Sequence, residues 1–111
     1  MRSDELLLSD LLDAIESIES YIKNLDFKSF QNSQLVRDGV IRQLTIIGEA
    51  ASHLSESTKR KIQIPWSKAI AMRNILIHEY FDVDLAITWK TVNGRIQELK
   101  KEIKKYLRSK Q

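Results

Sequence analysis

The residues best equipped for chemistry stand together in one stretch, Arg73-Asn74-Ile75-Leu76-Ile77-His78-Glu79-Tyr80. Arg73 offers a planar fork of donors suited to holding an anion such as a phosphate, and His78 can take or give a proton near neutral pH. From Ala69 to Phe81 the chain is apolar except at Arg73, Asn74, His78, Glu79 and the Tyr80 hydroxyl. Polar groups on so apolar a helix are costly unless they are satisfied or used.

In a straight helix, at about 100° per residue, Asn74 and His78 share a face and Tyr80 falls within about 20° of Arg73 two turns on. Arg73 and His78 then point about 140° apart. They converge if the helix unwinds near His78, if side-chain reach closes the gap, or if a second copy of the chain contributes its own helix. Each residue also has a purely structural reading. Arg73 could pair with Glu49 or Asp84, Asn74 could bond within the bundle, and Tyr80 could be a core aromatic with a wet hydroxyl. Arg42 and Glu49, seven apart on one face, suggest a supporting ion pair. His53 near a helix end reads as surface, and Trp66 and Trp89 read as core.

The elements that must position these residues are legible in the apolar spacing. Ser3 or Asp4 can cap a first helix, along which Leu8, Leu11, Ile15, Ile18, Ile22 and Leu25 recur at steps of three and four. Leu7, Leu12 and Tyr21 widen that stripe, which favours a bundle or shared interface, and the helix should stop near Asn24-Leu25-Asp26. Phe27 and Phe30 read as one short helical turn. Asn32 or Ser33 can cap a helix running to about Leu54, with Val36, Val40, Leu44, Ile47, Ala51 and Leu54 on one face and Gly48 as a packing contact. Ser55 to Gln63 is polar and fits another short turn. Pro65 suits the start of the helix that carries the motif. Asp82-Val83-Asp84 interrupts it, and either Asp can cap one last long helix, lined by Ile87 or Trp89, Val92, Ile96, Leu99, Ile103 and Leu107.

A chain of 111 residues with three Gly, one Pro and no Cys fits a single domain over residues 1–111, all-α in class. Without Cys there are no disulfides or thiolate metal sites, and two distant His with no HExxH pattern make a poor ligand set. Three isolated Gly cannot make a phosphate loop or dinucleotide fingerprint. No metal or cofactor is expected. Apolar runs reach only four residues, so no membrane span or signal peptide is expected and the chain reads as cytoplasmic. The net charge of +3 is modest, but its distribution is uneven. From Lys90 to Lys110 the cations are Lys90, Arg95, Lys100, Lys101, Lys104, Lys105, Arg108 and Lys110 against Glu98 and Glu102. This is either a solvated helix end suited to the helix dipole or a phosphate-attracting surface.

The string Arg, Asn, three apolar residues, His, one residue, Tyr resembles the signature of the HEPN superfamily, in particular its HepT-like branch of toxin components. The likeness covers nearly the whole chain: the first amphipathic helix, Val40 to Ala50 with its Gly48-Glu49-Ala50, the Ile64-Pro65-Trp66 lead-in, and Met72 to Asp84. The resemblance implies an antiparallel four- to five-helix bundle that forms a homodimer, bringing two motifs to one cleft, and a metal-independent endoribonuclease activity. By that resemblance Arg73 and His78 are the catalytic pair, with Asn74, Glu49 and Arg42 supporting them. It also implies a cognate minimal nucleotidyltransferase antitoxin that attaches AMP to Tyr80. A HEPN module that only binds a nucleotide or nucleotidyltransferase, and cuts nothing, would use the same residues.

Overall fold

Burial of the first apolar stripe sets the architecture. The computed structural model describes residues 3–70 and 84–110. In it Asp4–Ile22 forms α1 and buries Leu7, Leu8, Leu11, Ala14, Ile15, Ile18 and Ile22. Ser3 is the cap, its hydroxyl accepting from the Leu6 amide at 3.3 Å and satisfying one of the first turn's orphan donors. The helix ends where the sequence suggests: Asn24 takes φ 64°, a left-handed conformation that Asn tolerates better than most residues. Leu25, read as the last member of the stripe, lies beyond the helix.

Phe27–Asn32 forms the short α2, and Gln34–His53 forms α3, capped by Ser33. α3 turns Val40, Leu44, Ile47 and Ala51 into the core that α1 shares. The two helices run antiparallel. Tyr21, near the end of α1, lies on Gly39 near the start of α3, and Asp4 at the opposite end reaches Ser55 just beyond α3. A β-carbon at Gly39 would stand 3.1 Å from Tyr21 Cε2, so the missing side chain is what lets the ring lie so close. Gly48, the expected packing contact, is also buried.

Glu56–Lys61 forms α4, Leu85–Val92 forms α5 and Arg95–Ser109 forms α6. α6 packs along α1 in the opposite direction, burying Ile96, Leu99 and Ile103. Lys100 Nζ lies 2.7 Å from Glu19 Oε1, and that hydrogen bond holds the Lys100 ammonium above its ordinary pKa.

The class is all-α, with no strand among the described residues, and no described helix is long and apolar enough to cross a membrane. One expectation needs correction: the last long helix is two helices, α5 and α6, parted at Asn93-Gly94. The cause is local. Thr88 and Thr91 bond back to the Asp84 and Ile87 carbonyls, Asn93 bonds back to the Trp89 carbonyl, and Gly94 has the poorest helix propensity after proline. Gln97 Nε2 then satisfies the Val92 carbonyl at 2.7 Å across the joint. Of the two candidates for the inner face of α5, Trp89 is chosen: its ring sits 5.1 Å from Phe30 and 6.4 Å from Phe27, whereas Ile87 is 65% exposed.

One clasp joins the N-terminal end of α1 to α4. Asp4 accepts from the Ser55 amide at 3.1 Å and from the Ser55 and Thr58 hydroxyls at 2.5 Å each. These bonds, Ser55's first, hold the Asp4 carboxyl below its usual range. A depressed folded-state pKa means the clasp contributes fully above the ordinary carboxylate pKa and is lost as pH falls through the depressed value. Asp4→Ala is expected to cost about 1–2 kcal/mol at neutral pH, measured by denaturant unfolding. The gap from the wild type should shrink below about pH 4, and an undiminished gap at lower pH would refute the charged clasp.

Candidate functional site

Trp66 fixes the approach to the motif. Residues 66–70 are helical, with the Lys68 amide bonded to the Pro65 carbonyl at 3.0 Å. The Trp66 ring is 8% exposed, and its Nε1 donates to the carbonyls of Lys59 and Ile62 at 3.0 and 3.1 Å. The indole thus satisfies carbonyls at the end of α4 while its ring joins the core. Ile62 is buried in the core, and Ile64 and Ile70 are half-buried against the same core.

On the far side, Asp84 is the cap of α5. Its Oδ1 accepts from the Ala86 and Ile87 amides at 2.9 and 3.1 Å. The reading in which Asp84 pairs with Arg73 turns on a residue outside those described. Asp82, the other candidate cap, falls outside the described residues. So do the four motif residues Arg73, Asn74, His78 and Tyr80.

The two supporting residues are described. Arg42 and Glu49 both lie on α3, Arg42 exposed and Glu49 half-buried. They stand within about 20° of one another around the helix but some 10 Å apart along its axis. The expected Arg42–Glu49 ion pair does not form. Glu49 Oε1 instead lies 3.2 Å from His53 Nε2, one turn on, where helix geometry places a neighbour. His53 is on the surface as expected, its side chain 55% exposed. Its link to Glu49 was missed, although Glu with His four residues later is the signal for it.

The hydroxyls between these charges are satisfied locally. Thr45 donates to the Ile41 carbonyl and Ser52 to the Glu49 carbonyl. This face of α3 therefore presents Glu49 as a carboxylate held by a rigid helix whose opposite side is locked into the core. Such a group can orient an imidazole, as it does for His53, or a guanidinium. Among the described residues no three His, Cys, Asp or Glu gather as a metal-ligand set.

Comparison with known proteins places the chain in context. The family model "Ribonuclease HepT-like" matches residues 11–106. A Methanocaldococcus jannaschii protein whose name describes it as a putative RNase is 35% identical over 103 residues, covering 92% of this chain and 94% of its own. A Thermococcus cleftensis protein named "Probable ribonuclease HepT" is 40% identical over 105 residues, 94% of this chain and 96% of its own. A longer M. jannaschii protein, named as a gamma-glutamylcyclotransferase and putative RNase, is 42% identical over 109 residues, 96% of this chain but 49% of its own. No solved structure matches.

The cap beyond the motif can be tested by itself. Asp84→Ala leaves the first amides of α5 unpaired and should lower stability by about 1 kcal/mol. A thermal melt checks this, and an unchanged midpoint would mean that the cap contributes nothing.

Proposed function

Because the chain belongs to the HepT-like ribonuclease family, we propose that it is a metal-independent endoribonuclease that cuts RNA with Arg73 and His78, as the toxin of a toxin–antitoxin pair. The observation that carries this reading is that the family match over residues 11–106 runs through the whole Arg73 to Tyr80 stretch. In the proposed reaction the substrate's 2′-oxygen attacks the adjacent phosphorus as its proton leaves, and the bond to the 5′-oxygen breaks as that oxygen gains a proton. The products are a 2′,3′-cyclic phosphate and a 5′-hydroxyl, so the enzyme is confined to RNA. His78 moves the proton and Arg73 holds the phosphate oxygens as charge shifts onto them. Asn74 orients His78 or the phosphate, with Glu49 and Arg42 as support from α3.

The angle of about 140° between Arg73 and His78 on a straight helix supports a site shared between two copies of the chain. Regulation comes from charge. A cognate nucleotidyltransferase that attaches AMP to Tyr80 would place a phosphate beside Arg73 and repel incoming RNA.

His78→Ala should lower cleavage of single-stranded RNA by about 10²- to 10⁴-fold, while a chelator leaves the wild type unaffected. Equal cleavage by both proteins, or none by either at generous concentration, sinks the nuclease reading. A strictly monomeric solution mass would remove the shared cleft. Incubation with the cognate nucleotidyltransferase and ATP should add one adenylyl group to the wild type and silence it, whereas Tyr80→Phe gains no mass; an equal mass gain in that variant would put the acceptor elsewhere.

A further inference from the structure

Where α4 ends, a groove of about 300 Å³ opens against the last turns of α6, lined by Lys61, Gln63, Glu102, Lys105, Tyr106 and Ser109. Lys61 closes α4, and Lys105 faces the same groove from α6. On α6, Lys101 and Arg108 lie within about 60° of Lys105, so the basic stripe continues along the groove's edge. All four cations are exposed and have no ion pair among the described residues. By contrast, Lys59 is held by Glu56 at 3.5 Å and Lys100 by Glu19 at 2.7 Å. Cations left unpaired around one groove, with two acids nearby at Glu98 and Glu102, mark a place for an anionic partner.

The α6 wall that carries Lys105 also carries an aromatic ring, which favours one kind of anion. Tyr106 is half-buried against the core and the flexible Lys110 ammonium lies 5.4 Å over its ring, so the ring already receives a cation on a face that a base would take by displacing that side chain. Flanking cations with an aromatic platform are the combination that tracks a single-stranded backbone and stacks a base without reading sequence. A folded acidic protein surface would need neither the narrow groove nor the ring.

We propose that this groove is an accessory site for single-stranded RNA, with Lys61 and Lys105 on successive phosphates and Tyr106 as a platform for a base. The proposal rests on the ribonuclease reading and adds a contact outside the Arg73 to Tyr80 stretch. It gives the basic end of the chain a role in holding substrate rather than in chemistry. Glu102, set in the same wall, tempers the affinity so that product can leave.

Binding is measured by fluorescence anisotropy with the full chain carrying His78→Ala and a short mixed-sequence single-stranded RNA. Adding Lys61→Gln with Lys105→Gln should weaken binding about tenfold and reduce the salt slope by about 1–1.5, since each lost phosphate contact removes about 0.7. Tyr106→Leu, which keeps the apolar packing, should weaken it about five- to tenfold with the salt slope unchanged. Glu102→Gln should tighten it about twofold. Lys23→Gln with Lys28→Gln, removing the same charge beyond the far end of α1, should leave it unchanged. Thermal melts confirm that each variant folds. Affinity in the groove variants equal to the parent, or an equal loss in the Lys23 and Lys28 control, overturns the proposal, as does tighter binding of a poly-glutamate peptide than of RNA. The two readings fail separately. A wild type that binds RNA through the groove but cuts nothing sinks only the nuclease, whereas one that cuts with groove variants binding normally sinks only the groove.

Discussion

When α1 and α3 bury Leu8, Leu11, Ile15 and Ile18 against Val40, Leu44 and Ala51, all at most 1% exposed, each helix is left with one free side, and the remaining segments are placed by what those sides present. Each such aliphatic side chain gains about 1.5–3 kcal/mol on leaving water, set against the entropy of ordering the chain. α6 takes the open side of α1, antiparallel and joined by Lys100 to Glu19. α2 and α5 close one end through Trp89 and the two phenylalanines, and α4 closes the other through Asp4.

The motif lies between two of these anchored points. Trp66 fastens its upstream flank to the end of α4, and Asp84 fastens its downstream flank to the first amides of α5. Neither anchor uses a residue of the motif. The two flanks of the motif are therefore held by residues outside it. Glu49 sits between two roles, its backbone belonging to the core-facing helix and its carboxylate to a polar face already engaged with His53.

Much of this could be read from residue spacing because it depends on local rules. Caps at Ser3, Ser33 and Asp84, the stop near Asn24, and the short turns at Phe27 and Ser55 each arise from chemistry within a few residues. What was not legible depends on competition or distance. Val92 and Ile96 continue one apolar stripe, so periodicity joins α5 to α6, and only the summed weakness of Thr91, Asn93 and Gly94 parts them. The Asp4 clasp spans more than fifty positions in sequence; a first-turn acid is ordinarily read as a helix-dipole residue. The close approach at Gly39 is made by a tyrosine from another helix, which spacing along α3 does not announce. For the site, the family match runs through the motif, while spacing alone cannot say how Arg73 and His78 meet.

That clasp also has a consequence for how the chain is made. The acid at position 4 finds its partners only at positions 55 and 58, and the stripe above it is covered by a helix that ends at His53. On a ribosome adding roughly 5–20 residues per second, α1 emerges seconds before α3, the helix that covers its stripe. During that interval seven apolar side chains of one helix face solvent, chaperone or a neighbouring nascent chain. α1, whose stripe anchors the finished bundle, is thus bare of its partner for that interval, and it is covered only once α3 clears the exit tunnel.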